Sequence, residues 1–175
     1  DSKARLGSRP VKWPFIVPHS DGAGVIDQVG PGVNPARVGE RVWVYNGQWE
    51  RQLGTAAEYI ALPAETAVRL PDSVSFAEGA CLGIPAMTAH RCLLADGPVD
   101  GFWVLVTGGA GAVGNYGIQL AKWAGANVIS TVSSEAKAEA AKRAGADHVL
   151  NYKSEDIAER VLENTDGKGV DRIVE

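Results

Sequence analysis

The chain has 175 residues, a formal net charge of −4 and 45% hydrophobic residues. This length and composition are typical of a globular protein with a sizeable core in one or two domains, and they exclude a disordered chain. The acidic balance without a basic cluster gives no reason to expect a nucleic-acid partner, and no apolar run is long enough for a membrane span.

Two cysteines, Cys81 and Cys92, are too few for a disulfide framework. Together with the absence of a signal peptide at the start of the sequence, they favour a reducing, cytoplasmic location. We expect both side chains to be buried as small hydrophobic groups.

The first hundred residues consist of short segments with alternating apolar side chains, separated by glycine and proline. Four of these segments predict strands, at residues 24–29, 41–45, 57–62 and 68–70. The apolar pattern becomes helical at residues 86–94, and Gly97 and Pro98 then mark a turn. The sequence therefore predicts a small all-β domain over residues 1–97, with the boundary near residue 97.

The second region alternates apolar strands with helices. Strands are predicted at residues 104–106, 127–132, 147–150 and 170–175. Helices are predicted from the glycine turn to about Gly125, at 135–144 and at 157–161. This alternation predicts an α/β domain with a parallel, doubly wound sheet over residues 98–175.

The turn after the first of these strands has the spacing G-x-G-x-x-G, in the six residues Gly109, Ala110, Gly111, Ala112, Val113 and Gly114. In this strand–turn–helix context Gly109 allows a tight turn, Gly111 lets the backbone approach a pyrophosphate, and Gly114 lets the helix lie close to its strand. The helix N-terminus offers free N–H groups to the phosphates. The sequence therefore predicts a bound dinucleotide, against the alternative of a glycine-rich turn without a nucleotide.

The end of the strand at 127–132 indicates which dinucleotide is bound. An NAD site usually has Asp or Glu there to bind the ribose 2′-hydroxyl. This strand ends in Thr-Val-Ser-Ser, with Lys137 one turn into the next helix. Two hydroxyls and an ammonium group suit a 2′-phosphate, so the predicted cofactor is NADPH. Glu135 is a nearby carboxylate that would weaken this preference.

Four motifs then occur in the order of a known family: PHSDGAGVI at residues 18–26, GERV at 39–42, GIPAMTAHR at 83–91 and the glycine turn at 108–114. The chain resembles the medium-chain dehydrogenase/reductases, and within them the zinc-free NADPH:quinone oxidoreductases of the zeta-crystallin type. The resemblance implies a partial GroES-like β domain followed by a partial Rossmann domain, with missing portions before Asp1 and after Glu175. It also implies a homodimer in the full-length protein.

Zinc-dependent members of this superfamily polarise their substrate oxygen with a catalytic zinc ion. By the resemblance, Ser20 takes the place of their ligand histidine, and His19 lies one residue out of register. Their later ligand cysteine falls at Ile84 or Pro85, and residues 44–61 contain no cysteine for a structural zinc lobe. We therefore predict no metal.

The resemblance assigns cofactor roles to several residues: Ala110, Gly111, Ala112 and Val113 in the pyrophosphate turn, Ser133 and Lys137 near the 2′-phosphate, Tyr152 against the adenosine, Thr88 near the nicotinamide ribose, and Lys3 beside the nicotinamide. At the position of Lys3 relatives often carry a tyrosine, so this residue departs from the family pattern. Tyr152 has the alternative of ordinary packing at a strand end, and Thr88 that of a hydroxyl bonded to its own helix.

The predicted reaction is zinc-independent hydride transfer from NADPH to a quinone or an α,β-unsaturated carbonyl compound. No residue is an obvious general acid, and the catalytic residues are therefore left unassigned. Two alternatives remain: a reductase of enoyl thioesters in the same superfamily, and a nucleotide-binding structural protein without turnover. A short-chain dehydrogenase is excluded, because the glycine turn lies a hundred residues into the chain and there is no Tyr-x-x-x-Lys pair.

Overall fold

The computed structural model describes residues 5–8 and 10–175. The chain divides into two compact units, Asp1–Ile84 and Pro85–Glu175. One helix, Gly83–Leu94, runs across this division. The boundary between the domains at residue 97 stays a prediction.

The first unit is built around a three-stranded antiparallel sheet. Its strands are β1 (Gly22–Val25), β2 (Arg41–Val44) and β3 (Ala67–Arg69), in the spatial order β1-β2-β3. Buried side chains of β2, Val42 and Val44, alternate with half-buried ones, as expected for a strand with one face on a core. Short 3₁₀ turns lie at Pro35–Arg37 and Ala64–Thr66, and helix α1 (Phe76–Gly79) follows. Its N-terminus carries a Ser75–Glu78 capping box.

Three of the four strands predicted in this unit overlap β1, β2 and β3, but the one predicted at residues 57–62 is wrong. In the described part of the chain this segment pairs with none of the three strands. Tyr59, in the middle of this segment, is 75% exposed. Alternating apolar residues do not form a strand unless a neighbouring strand accepts their backbone hydrogen bonds.

The second unit is an α/β sandwich around a four-stranded parallel sheet, which confirms the predicted fold class. Its strands are β4 (Trp103–Val106), β5 (Asn127–Val132), β6 (His148–Asn151) and β7 (Arg172–Val174). Their spatial order is β6-β5-β4-β7. The helices are α2 (Gly83–Leu94), α3 (Ala112–Trp123), α4 (Glu135–Ala144) and α5 (Ile157–Asn164). Within the described residues, no helix has the length and apolar character needed to cross a lipid bilayer.

The main core of this unit lies between the sheet and helix α3. Val104 and Val106 of β4 and Ile118 of α3 are fully buried there. The helix approaches the sheet closely at Gly117, where an added Cβ would lie 3.3 Å from a methyl group of Val106. The strand predicted at 127–132 and the helix predicted at 135–144 have the predicted bounds.

The expectation that both cysteines are buried is wrong, because Cys81 and Cys92 are exposed. The buried residues of helix α2 next to Cys92 are Ala89 and Leu93, which are four positions apart and therefore share one face. Cys92 lies off that face. The apolar pattern predicted the helix. Which side of the helix is buried depends on the core residues against which Leu93 packs.

Arg172 of β7 ties the sheet to the end of helix α2. Its guanidinium group donates to the carbonyl oxygens of Leu93 and Gly97 and lies over the ring of Phe102. The Leu93 carbonyl belongs to the last turn of the helix, where a cation is also favoured by the helix dipole. We expect Arg172→Met to lower the free energy of unfolding by about 1–3 kcal/mol, because it leaves part-buried carbonyls unpaired. Urea denaturation measures this loss, and an unchanged midpoint would contradict it.

An ion pair and a hydrogen bond join α3 and β5 to the residue before β6. The Lys122 ammonium lies 2.8 Å from the Asp147 carboxylate, which also accepts the backbone N–H of Val128 at 2.7 Å. Burial raises the pKa of Asp147, but these hydrogen bonds outweigh it and hold the pKa below its usual value.

We expect Asp147→Asn to destabilise the protein by about 1 kcal/mol at neutral pH. A lowered pKa makes this contribution fully present above the unfolded-state value of about 3.9, and it is lost as the pH falls through the lower folded-state value. Denaturation of wild type and variant at several pH values should show their difference constant at pH 5 and above and shrinking in more acidic buffer. A difference that does not depend on pH would contradict this role.

Candidate dinucleotide-binding site

The glycine turn lies at the point where the strand order of the sheet reverses. From β4 the chain passes through α3 to β5 on one side, and it returns through α5 to β7 on the other side of β4. In open α/β sheets the crevice at the carboxyl ends of the strands, at this reversal, is where ligands bind. Residues 107–111 follow the carboxyl end of β4 directly and therefore lie at this crevice.

The turn itself is tight and held by the neighbouring strands. Thr107 N–H donates to the Val174 carbonyl at 2.9 Å, and Gly111 N–H donates to the Gly108 carbonyl at 2.7 Å. The left-handed backbone belongs to Gly108, with φ +60°, and not to Gly109. Gly109 is constrained by space instead, because a Cβ there would lie 2.0 Å from the Ser130 hydroxyl oxygen.

Helix α3 begins directly behind the turn with its N-terminus open. Gly111 is the N-cap residue, and no side chain in the described part of the chain caps it. A Cβ on Gly114 would lie 2.4 Å from the Gly108 carbonyl oxygen, so the first helical turn touches the turn backbone. Uncapped N–H groups beside side-chain-free backbone form a cradle that fits a pyrophosphate.

The second polar cluster lies where β5 ends. The Lys137 ammonium donates to the Ser133 hydroxyl at 3.0 Å, and Lys137 is exposed. Helix α4 begins after Ser134, which makes no capping hydrogen bond to it through its side chain. The Glu135 carboxylate lies 3.7 Å from the Lys142 ammonium, a cation of the same helix that it shares with Glu139. The cluster thus presents an ammonium, hydroxyls and a helix N-terminus, which suits a phosphate.

Tyr152 lies beside this cluster. Val132, the last residue of β5, is paired with Asn151 of β6, and Tyr152 N–H donates to the Val132 carbonyl at 3.1 Å. Tyr152 therefore follows its strand at the level where Ser133 follows the next one. Its side chain is 54% exposed, which leaves a ring face available to a ligand.

The remaining predicted residues lie elsewhere. Thr88 is half-buried in the middle of helix α2, and its role near the nicotinamide stays a prediction. Lys3 lies outside the described residues.

By the resemblance, the two zinc-ligand positions of related enzymes fall at Ser20 and at Ile84 or Pro85. The carboxylate of Asp21, next to Ser20, accepts the backbone N–H of Ile84 at 2.9 and 3.0 Å. A Cβ on Gly83 would lie 2.1 Å from that carboxylate. A Ser20 hydroxyl with an Ile84 or Pro85 side chain is not a zinc ligand set. Among residues 5–8 and 10–175, no group of three or more His, Cys, Asp and Glu side chains could hold a metal ion.

Sequence reasoning missed two residues next to the turn, Ser130 and Thr131. Both are buried in β5, with exposures of 0% and 6%, and both contact the backbone around the turn. Their signal in the sequence is the occurrence of two consecutive hydroxyl residues within the apolar residues of the strand, between Ile129 and Val132.

Comparison with known proteins matches both units to families. Residues 1–72 match the alcohol dehydrogenase GroES-like domain, and residues 112–175 match the zinc-binding dehydrogenase family.

Among curated proteins, an alcohol dehydrogenase of Geobacillus stearothermophilus is 36% identical, over 95% of this chain and 56% of its own length. A 2-haloacrylate reductase of a Burkholderia species is 38% identical, over 90% of this chain and 47% of its own length. A quinone oxidoreductase of Rattus norvegicus is 35% identical, over 96% of this chain and 50% of its own length. The chain thus spans about half the length of the curated relatives it matches.

Solved structures agree with these matches. The quinone oxidoreductase of Pseudomonas syringae pv. Tomato DC3000 superposes with a TM-score of 0.86 at 37% identity, over 99% of this chain and 52% of that one. The quinone oxidoreductase of Escherichia coli, solved in complex with NADPH, gives a TM-score of 0.82 at 32% identity, over 97% of this chain and 51% of that one.

Proposed function

We propose that the complete protein is an NADPH-dependent reductase. The premise is that this chain belongs to the medium-chain dehydrogenase/reductase superfamily and to its quinone oxidoreductase-like family. The proposed reaction is zinc-independent hydride transfer to a quinone or an α,β-unsaturated carbonyl compound. A homodimer and a cytoplasmic location belong to the same proposal.

The proposal depends most on two anion-binding features at one edge of the sheet. The open N-terminus of α3 lies behind the glycine turn, and the Ser133–Lys137 pair lies at the end of the next strand, β5. The first suits a pyrophosphate and the second a 2′-phosphate. The likeness to a quinone oxidoreductase solved with NADPH supports the same cofactor here.

When bound, NADPH supplies the hydride, and this chain's residues bind and orient it. The turn N–H groups would hold the pyrophosphate, Ser133 and Lys137 the 2′-phosphate, and Tyr152 the face of the adenosine. Thr88 and Lys3 are proposed for the nicotinamide end. Orientation of two reactants is itself a large part of catalysis, because it replaces a bimolecular encounter by a positioned one.

The absence of zinc from the proposed reaction rests on the chemistry of the side chains. In zinc-dependent members a Lewis acid stabilises the alkoxide that forms from an alcohol, whereas a quinone or enone is already electrophilic. By the resemblance, Ser20 and either Ile84 or Pro85 take the two ligand positions, and residues 112–175 contain no cysteine and a single histidine, His148. The 2-haloacrylate reductase among the relatives supports a conjugated acceptor.

The activity is tested on the complete protein by the loss of NADPH absorbance with a simple benzoquinone, with an enone and with an enoyl thioester, each before and after treatment with a chelator. We expect turnover with the quinone or the enone that the chelator does not change. Turnover with the enoyl thioester alone would favour the thioester reductase instead. Binding of NADPH without turnover of any acceptor would favour a structural protein, and loss of activity on chelation would contradict zinc independence.

A further inference from the structure

Two buried hydroxyl side chains in β5 bond to the strand and turn that form the pyrophosphate cradle. Five of the six residues of β5 are buried, and the polar members of this set are Ser130 and Thr131. A buried hydroxyl without a partner destabilises a fold, so the destination of its hydrogen bond is informative. Ser130 Oγ donates to the Val106 carbonyl at 3.0 Å, and Thr131 Oγ1 accepts the Gly108 N–H at 3.3 Å.

A backbone hydrogen bond adds to these contacts. Gly109 N–H donates to the Thr131 carbonyl at 3.1 Å. Strand β5 therefore binds Val106, Gly108 and Gly109, which are the last residue of β4 and two residues of the turn. The turn has the Gly108 backbone at φ +60°, a left-handed conformation that glycine adopts without steric cost.

Ser130 also limits the space beneath the turn. The ideal Cβ position on Gly109 lies 2.0 Å from Ser130 Oγ and 3.1 Å from Ser130 Cβ. The Gly109 backbone thus rests on the serine side chain, whose hydroxyl is fixed by its bond to Val106. A larger residue at position 130 would push the turn outward, toward the space that a pyrophosphate needs.

The proposed 2′-phosphate cluster begins directly after the same strand. Two residues after Thr131, Ser133 accepts the ammonium of Lys137 at 3.0 Å. Residues 130–133, which are the end of β5 and the residue after it, thus join the pyrophosphate turn and the 2′-phosphate cluster. A rigid strand between two phosphate sites holds their spacing constant.

We propose that Ser130 and Thr131 are positioning residues that hold the turn at residues 107–111 in the form that receives the cofactor pyrophosphate. This inference rests on the proposed NADPH site. Neither side chain touches the cofactor, and both act through the turn backbone. Because the pyrophosphate is common to NADPH and NADH, loss of either hydroxyl weakens the binding of both cofactors by the same factor. Loss of the Lys137 ammonium weakens the binding of NADPH alone.

The test uses Thr131→Val and Ser130→Ala in the complete protein, with calorimetric titration of NADPH and of NADH. We expect Thr131→Val to raise both dissociation constants by roughly fivefold to tenfold, the effect of one neutral hydrogen bond, and to leave their ratio unchanged. Thr131→Ser, which keeps the hydroxyl, should restore most of the affinity.

Thr165→Val is the matched control. Thr165 is 2% exposed, and its hydroxyl donates to Val161 at 2.8 Å and accepts Gly169 N–H at 2.9 Å, in the connection between α5 and β7. This variant loses a buried hydroxyl of the same kind, so it should lower the stability but leave both dissociation constants at the wild-type values. Amide hydrogen exchange gives an independent readout, and Thr131→Val should accelerate exchange at Gly108 and Gly109 while Thr165→Val should not.

The outcomes separate the inference from the proposed function. If the wild type binds NADPH and Thr131→Val binds both cofactors with wild-type affinity, the positioning role is overturned and the NADPH site stands. A change in NADPH affinity alone also overturns it. If the wild type binds neither cofactor, the proposed function and this inference both fail. Should Thr131→Val not fold, Ser130→Ala carries the same test through its bond to Val106.

Discussion

Replacing Gly114 with alanine is expected to raise the dissociation constant for NADPH by roughly 10- to 100-fold. The added Cβ would lie 2.4 Å from the carbonyl oxygen of Gly108 and 2.8 Å from its carbonyl carbon. Alanine favours a helix over glycine by about 1 kcal/mol, but this gain does not offset the contact, because backbone atoms cannot rotate away. The turn or the helix must move, and the phosphate cradle opens.

Gly117→Ala, three residues further along the same helix, is the matched control for this variant. A Cβ there would lie 3.3 and 3.4 Å from methyl groups of Val106 and Val174, which are side-chain atoms that can give way. We expect near wild-type affinity for NADPH from this control. Equal losses of affinity in both variants would show that packing of helix α3, and not the geometry of the turn, controls binding.

Lys137→Ala is expected to weaken NADPH binding by roughly 10- to 100-fold and to leave NADH binding unchanged, since a charge-assisted hydrogen bond contributes about 1.5–3 kcal/mol. The Lys137 ammonium lies 3.0 Å from Ser133 Oγ, where a 2′-phosphate oxygen would find both groups. Calorimetric titration of both cofactors measures the change in their ratio. Lys142→Ala is the control, because Lys142 belongs to the same helix but pairs with Glu139 at 2.9 Å. An equal loss for NADH, or no loss for either cofactor, would remove Lys137 from the 2′-phosphate site.

The α/β half of the chain could be predicted in detail because its signals are local. Strand β5 and helix α4 have the predicted bounds, since an apolar run and a helix closed by Gly145 leave few alternatives. Gly145 has φ +109°, which is the left-handed helix end that favours glycine. The parallel order of the strands then follows from the strand–helix alternation.

The β-rich half was less predictable because its strands depend on distant partners. Residues 57–62 have the alternation of a strand, but that pattern does not indicate whether another strand lies beside them. The exposed cysteines have the same explanation, since a small hydrophobic residue fits either side of a helix until the packing surface is known.

Within the site, sequence reasoning found the glycine turn but not what holds it. The spacing alone assigned the tight turn to Gly109, whereas the left-handed residue is Gly108. The reason that Gly109 lacks a side chain is the Ser130 hydroxyl, which is 21 residues away in the chain. Contacts between neighbouring strands of this kind become visible only when the register of the sheet is known.

The most direct test of the account is a calorimetric titration of the complete wild-type protein with NADPH and with NADH. The open N-terminus of α3 and the Ser133–Lys137 pair predict that NADPH binds, and binds much more tightly than NADH. Equal affinities would contradict the 2′-phosphate site. Binding of neither cofactor would contradict the central claim that the glycine turn is a working dinucleotide site.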